Sequence, residues 1–153
     1  MRTVTMHMVA PHIAPASAFE RISDFAAYPD LTDAVEKVVV HPPAPDGSVV
    51  SEWLVHFRKG LLHWTERDVI DHAGRTISFT QTIGDFDVFE GRWAVTPEGA
   101  GSRVLFEASF DLGMPTLAEL LDPVADATLR DNILRITDAL LGGVEKVEDG
   151  AGR

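Results

Sequence analysis

The sequence contains no cysteine in its 153 residues. This absence excludes disulfide bonds, cysteine nucleophiles, iron–sulfur clusters and cysteine-ligated zinc. Positive charge is also scarce, because 13 Lys and Arg stand against 24 Asp and Glu, for a formal net charge of −11 at pH 7. The cations are scattered along the chain, so we expect no basic patch and no binding to nucleic acid or to an anionic membrane surface.

Long apolar runs are missing as well. No stretch approaches the roughly 18 apolar residues that span a bilayer, and residues 1–15 lack the unbroken apolar segment of a signal peptide. Hydrophobic residues nevertheless make up 45% of the chain, which is enough for a real core. We therefore expect one soluble, cytoplasmic domain over residues 1–144, followed by a polar, flexible tail at 145–153.

Patterns that would hold a metal or a nucleotide are not found. His7 and His12 are five positions apart on one predicted strand and so lie on opposite faces, while His56 and His63 would meet only on the outer face of a hairpin. The sequence has no glycine-rich phosphate loop after a strand, no nucleophile-elbow serine and no Walker lysine. We expect no metal site and no cofactor.

Alternation of apolar and polar residues predicts most of the chain to be β-structure. The predicted strands cover residues 3–9, 35–41, 49–57, 61–71, 76–83, 88–95 and 103–112. Turn signals separate them at the proline-rich segment 41–47 and at 59–60, 72–74, 84–85 and 97–101. Six consecutive strands joined by short loops predict a strongly curved antiparallel sheet.

Helical patterns flank the six consecutive strands. Residues 16–24 and 25–32 predict two short helices, and residues from about 116 to 141 predict a long helix with a broad apolar stripe. Pro123 falls inside the long helix and predicts a kink or a restart there. A sheet wrapped around one amphipathic helix leaves a space between them, where we expect the functional site.

This order of elements is that of the helix-grip fold, an α+β architecture. The segment DFAAYPDL at 24–31, together with residues 84–86, 89–93 and 101–104, resembles the signature of the START-related polyketide cyclase/dehydrase and lipid-transport superfamily. The resemblance covers nearly the whole chain. It implies the fold more specifically than the function, because one fold hosts many activities.

Within that superfamily, the sequence looks most like the single-domain aromatase/cyclases of aromatic polyketide biosynthesis. The resemblance implies a cofactor-free cavity in which a poly-β-ketone, delivered by an acyl carrier protein, undergoes aldol cyclisation and dehydration. It matches Trp64 and Trp93 to cavity-lining tryptophans, Phe86 to an aromatic on the mouth loop, and Tyr28 to an aromatic near the entrance. It also matches Asn132 to a polar helix residue that points into the pocket.

The sequence departs from this branch at three positions. Asp68 stands where the branch carries an arginine, Glu66 where it carries a serine, and Val35 where it carries a tyrosine. We retain Val35 as a candidate lining residue, and we expect the chemistry to differ from one centred on an arginine.

Glu66 and Asp68 are the strongest chemical feature of the sequence. Side chains at positions i and i+2 share one face of a strand, about 7 Å apart. Periodicity alone barely decides which face of this strand is buried. The match of Trp64 to a cavity-lining tryptophan favours burial of the face that carries Trp64, Glu66 and Asp68. Two carboxyls in an apolar cavity would raise the pKa of at least one of them. Such a group can act as a general acid or base on an enolisable ketone. The alternative is a bulge or reversed register that leaves both in water.

Further candidates have weaker signals. Asn132 and Gln81 either orient a carbonyl or a water, or are ordinary buried amides bonded to the backbone. Aromatic residues on the predicted inward faces form core for the most part, and some of them must line the cavity. The candidates of this kind are Trp53, Phe79, Phe89 and Phe106.

Three functions therefore remain open. The first is a polyketide aromatase/cyclase-like catalyst that uses Glu66, Asp68 and Asn132. The second is a non-catalytic carrier or self-resistance protein that binds a hydrophobic natural product, and the third is a helper that binds a quinone or a lipid. Two inward carboxyls favour the catalyst, because a passive apolar carrier gains nothing from desolvating them. The missing arginine favours the binding proteins.

Overall fold

One curved sheet and one long helix form the fold. The computed structural model describes residues 1–57, 60–112 and 118–147. In chain order the elements are β1 (Arg2–Ala10), α1 (Pro15–Ser23), a 3-10 turn (Phe25–Ala27), α2 (Tyr28–Leu31), β2 (Val35–Val40), β3 (Val49–Phe57), β4 (Gly60–Asp71), β5 (Thr76–Gly84), β6 (Val88–Glu98), β7 (Gly101–Asp111), α3 (Ala118–Leu141) and β8 (Glu145–Lys146).

The sheet is antiparallel throughout, with the strand order β2-β3-β4-β5-β6-β7-β1-β8. Helix α3 contacts both β1 and β3, which lie near opposite ends of this order. The sheet must therefore curve around the helix, and this is the helix-grip architecture that the sequence predicts. Within the described ranges, no helix has the length and apolar composition that a membrane crossing would need.

The structure differs from the sequence prediction in several details. An eighth strand, β8, pairs Glu145 and Lys146 with β1. These two residues belong to the segment 145–153, which the sequence predicts to be a flexible tail. Residues 148–153 of that segment lie outside the described residues. The turn expected at 97–101 is shorter, because β6 continues through Pro97 to Glu98. Helix α3 continues through Pro123, so the helix does not restart there, although the proline removes one backbone hydrogen bond. The expected start of that helix at 116, and Lys59 of the expected 59–60 turn, also lie outside the described residues.

The core lies between the inner face of the sheet and α3. In β1 and β7 alternate residues are buried, and their register sets Val4 opposite Ala108 and Met6 opposite Phe106. From α3, the residues Ile133 and Ile136 pack onto this surface. The period-two pattern of the strands and the helical stripe thus meet in one core.

Charged residues form hydrogen bonds between α3 and β1. Asp126 accepts hydrogen bonds from Arg2 Nε at 2.8 Å and from Arg130 Nε at 2.6 Å. Arg130 Nη1 also donates to the backbone carbonyl of Thr5 at 3.2 Å. These contacts occupy part of a strand edge that would otherwise offer unpaired backbone groups.

Irregular pairing between β4 and β5 reshapes the inner face. Trp64 lies opposite Gly84 and Thr65 opposite Ile83, but Glu66 lies opposite Gln81, so β5 carries one extra residue at this point. A bulge of this kind bends a strand and changes the direction of nearby side chains. The bulge therefore lies between Trp64 and Glu66, two of the candidate site residues.

The close approach of β6 to β7 gives a test of the packing. A Cβ at Gly91 would lie 2.0 Å from the Glu107 carbonyl oxygen and 2.9 Å from Phe79 Cζ, whereas a Cβ at Gly60 meets nothing within 4 Å. We expect Gly91→Ala to lower the free energy of unfolding by about 1–3 kcal/mol, and Gly60→Ala to change it by less than about 0.5 kcal/mol. Thermal unfolding of both variants checks this, and equal melting temperatures would contradict the packing described.

Candidate active site

A cavity lies between the concave face of the sheet and α3. Of the nineteen described residues that line it, ten are aromatic. The lining comprises Phe25, Tyr28, Val35, Trp53, Val55, Phe57, Leu62, Trp64, Glu66, Ile77, Phe79, Phe86, Phe89, Trp93, Phe106, Leu129, Asn132, Ile133 and Ile136. Such a surface suits a flat, apolar molecule.

The cavity is small. Its volume is about 70 Å³, measured as the space that the centre of a water molecule can occupy. By the same measure one water needs roughly 10–15 Å³. In this conformation the cavity therefore accommodates a compact molecule, and a larger one enters only if lining side chains change rotamer.

Stacked aromatic rings fix the walls. Trp53 of β3 and Trp64 of β4 stand opposite each other in the sheet, and their rings stack with centroids 6.2 Å apart at 8°. Phe86 stacks on Phe89 with centroids 4.6 Å apart. Because each ring is held by another ring, the walls are largely preformed.

Glu66 brings a carboxyl group to this aromatic surface. It lies on the inner face of β4 and is only 5% exposed. Trp64 Nε1 donates a hydrogen bond of 2.8 Å to Glu66 Oε1. The indole and the carboxyl are two positions apart on one strand, so the sequence spacing itself produces this contact.

Asp68 lies behind Glu66 and does not line the cavity, although the sequence predicts both inside. Asp68 is fully buried, and Ser51 Oγ donates to its Oδ2 at 2.6 Å. Trp53 Nε1 in turn donates to Ser51 Oγ at 2.8 Å. Among the described residues, no N–H group and no hydroxyl donates to the other oxygen, Asp68 Oδ1. The neighbouring Glu66 carboxyl lies within hydrogen-bonding reach of Asp68 and, when protonated, has an O–H to donate.

Burial and the neighbouring carboxyl hold that proton on Glu66. Desolvation raises the pKa of Glu66 well above its ordinary value, and the hydrogen bond and the negative charge of Asp68 raise it further, against the opposing effect of Trp64. Burial also raises the pKa of Asp68, although hydrogen bonds from Glu66 and Ser51 oppose this. The two carboxyls therefore act as a pair that shares a proton.

Tyr28 forms part of the wall rather than standing near an entrance, as the resemblance implied. It is 2% exposed, and its hydroxyl donates to the carbonyl of Ile22 at 2.6 Å. Burial raises the pKa of Tyr28, and the charges of Glu66, Asp68 and Asp24 raise it further. The phenol is therefore neutral, and its hydrogen bond connects α2 to α1.

Asn132 projects from α3 into the lining, opposite the sheet. Its Nδ2 donates to the backbone carbonyl of His56 at 2.8 Å. Within the described part of the chain, its Oδ1 takes part in no hydrogen bond. The amide is thus oriented by the backbone, and its oxygen is the end that can accept a hydrogen bond from a ligand.

Gln81 does not line the cavity and has the backbone-bonded role that the sequence analysis left as its alternative. Its Nε2 donates to the carbonyl of Phe86 at 2.8 Å, and its Oε1 is buried without a donor among the described residues. Asp85 Oδ2 accepts from the His63 N–H at 2.7 Å. These bonds hold the 84–87 loop so that Phe86 points into the cavity.

The structure thus brings most of the candidate residues together. Of the sequence-predicted site, Glu66, Asn132 and all the candidate aromatic residues share one cavity with Val35, while Asp68 and Gln81 are excluded from its surface. Sequence reasoning did not select Ser51 as a site residue, although it shares the face of Trp53 on β3. It also did not select the aliphatic lining residues Ile77 and Ile133, which lie on the predicted inner faces.

Comparison with known proteins now identifies the family. The sequence model of the family "Polyketide cyclase / dehydrase and lipid transport" matches residues 12–137. The chain belongs to this family. A search of curated protein sequences finds no significant match.

Solved structures show the same fold. The protein TTHA0849 from Thermus thermophilus is 23% identical with a TM-score of 0.83, over 92% of this chain and 95% of that one. The aromatase/cyclase Zhui from Streptomyces sp. R1128 is 22% identical with a TM-score of 0.74, over 92% of each chain. A START superfamily protein from Mycobacterium smegmatis is 20% identical with a TM-score of 0.75, over 92% and 94%. At these identities the similarity establishes the fold and leaves the reaction open.

The raised pKa of Glu66 makes stability depend on pH. The folded state holds the proton more tightly than the unfolded state does, so this contribution to stability is complete below the unfolded-state pKa and is lost as the pH rises through the folded-state value. The maximum slope for one group is about 1.4 kcal/mol per pH unit. We expect wild-type stability to fall as the pH rises above the ordinary carboxyl range, and the Glu66→Gln variant to lose less stability over the same pH series.

Urea unfolding at a series of pH values measures this difference. The exposed carboxyl of Glu90 on β6 offers a matched control, and Glu90→Gln should follow the wild-type curve. Parallel curves for the wild type and Glu66→Gln would show that the Glu66 proton is not linked to folding.

Proposed function

We propose that the protein binds a poly-β-ketone or related aromatic precursor in this cavity and promotes its aldol cyclisation and dehydration, with Glu66 as general acid and base. The supporting observation is the position of Glu66. It is the one carboxyl among the described lining residues, and it stands in an aromatic cavity beside a second carboxyl that holds its proton. Because its pKa is raised, this acid keeps its proton to a higher pH than a free carboxyl does, and it is adjacent to the bound substrate.

The proposed steps conserve protons. The carbon of an enol attacks a carbonyl of the same chain, and Glu66 gives its proton to the oxygen of that carbonyl. The enol oxygen becomes a ketone and releases its own proton, which returns to Glu66. In the dehydration, Glu66 gives its proton to the new hydroxyl, which leaves as water, and the resulting carboxylate takes the proton from the adjacent carbon, which restores the acid.

Other residues orient the reacting groups. Asn132 Oδ1 is available to accept a hydrogen bond from an enol or hydroxyl of the substrate, because the backbone carbonyl of His56 holds the opposite end of the amide. The rings of Trp64 and Trp93 restrict how the chain can fold. Asp68 contacts no substrate in this proposal. It positions the Glu66 carboxyl by a hydrogen bond, and its charge favours the protonated form of Glu66.

Replacement of Glu66 by Gln tests the proposal. The amide keeps the shape and can still donate to Asp68, but it cannot exchange a proton. We expect the rate of conversion of a poly-β-ketone thioester to cyclised product to fall by about 10²–10⁴-fold. Binding of an unreactive aromatic compound should change far less, because apolar contacts are unchanged.

Product analysis by chromatography and a binding titration on the same variants provide the measurement. Glu90→Gln should retain wild-type turnover. Unchanged cyclisation in Glu66→Gln, together with unchanged binding, would contradict a catalytic role. Binding without any cyclisation in the wild type would instead show a carrier of hydrophobic natural products.

A further inference from the structure

The titratable groups of the cavity lining are acids within the described part of the chain. Among the described residues that line it, none is Lys, Arg or His, and the titratable ones are Glu66 and Tyr28. Asp24 acts on Tyr28 from the end of α1, and Asp68 adjoins Glu66 from the same strand. The charges that raise the pKa values of Tyr28 and Glu66 therefore all come from carboxylates.

The carboxyl pair has no cationic partner. Neither Glu66 nor Asp68 takes part in an ion pair within the described ranges, and the Ser51 hydroxyl donates to one Asp68 oxygen while the other is buried without a donor from an N–H group or a hydroxyl. When one proton is shared between the two carboxyls, one negative charge remains buried. A second negative charge brought beside it has neither water nor a cation to stabilise it.

We propose that the Glu66–Asp68 pair sets the charge class of the ligand: the cavity takes a neutral or positively charged hydrophobic molecule and excludes a carboxylate of the same size. This inference rests on the proposed function only in using the same cavity as the binding site. An acidic precursor would have to enter as an ester, a thioester or an amide. A protonated amine would gain from both the pair and the aromatic walls, since ring faces attract cations.

Three matched probes isolate charge from shape. Naphthalene bearing a hydroxymethyl, an aminomethyl or a carboxylate group at the same ring position differs almost only in charge. We measure the affinity of each probe by calorimetry at neutral pH for the wild type, Glu66→Gln, Asp68→Asn and the exposed control Glu90→Gln. Circular dichroism confirms that each variant is folded.

The pair predicts responses of opposite sign. In the wild type the alcohol and the amine bind, and the carboxylate binds at least about tenfold more weakly than the alcohol, which is roughly 1.4 kcal/mol. In Asp68→Asn, which removes the buried negative charge, the carboxylate gains affinity and the amine loses it, while the alcohol changes little. In Glu66→Gln, a neutral amide replaces the protonated acid and the charge of Asp68 remains, so the order of the three affinities is that of the wild type. Glu90→Gln changes none of the three affinities.

Each other outcome has a definite meaning. If the carboxylate binds the wild type as tightly as the alcohol, the inference is wrong. It is also wrong if the disadvantage of the carboxylate is the same in Asp68→Asn as in the wild type, because desolvation alone then explains it. If none of the probes binds the wild type, the ligand-binding cavity is itself wrong, and the proposed function fails with this inference.

Discussion

A proton held between Glu66 and Asp68 is the interaction on which the site depends. Two carboxyls buried at adjacent inward positions of one strand cannot both be ionised at low cost, because each is desolvated and each repels the other. A protonated Glu66 can donate to Asp68, and its carboxyl also lines the cavity. Ser51 donates to Asp68 Oδ2 and the Trp64 indole to Glu66 Oε1, while the Trp53 indole donates to the Ser51 hydroxyl. The aromatic residues are thus both the wall of the cavity and the donors that orient its acid.

The fold has to maintain this arrangement against its energetic cost. A carboxyl kept neutral by burial lowers stability at the pH at which it is useful, a common trade between stability and activity. Three features constrain the surroundings of the pair: the extra residue of β5 near Glu66, the hydrogen bond from Gln81 to the Phe86 carbonyl, and the hydrogen bond from Asn132 to the His56 carbonyl. They involve β3, β4, β5 and α3, so the site depends on several strands and the helix rather than on one segment.

Much of this architecture could be predicted from the sequence, because it follows from periodicity. Alternation within β4 set Trp64, Glu66 and Asp68 on one face, and the helical stripe set Ile133 and Ile136 towards them. Features that depend on packing between distant segments could not be predicted. Asp68 shares the inner face of β4 with Glu66 but lies outside the described cavity lining. Alternation gives the face of a residue and does not encode how far the cavity extends along that face. Gln81 bonds a loop carbonyl through a bulge, and β8 is too short and polar to produce a pattern.

The location of the shared proton is the central claim, and infrared spectroscopy measures it most directly. A difference spectrum between the wild type and Glu66→Gln at neutral pH isolates the C=O stretch of a protonated carboxyl in apolar surroundings. The account predicts that this band is present in the wild type and absent from Glu66→Gln, while Glu90→Gln retains it. A wild-type spectrum at neutral pH that shows only ionised carboxylates would contradict the account.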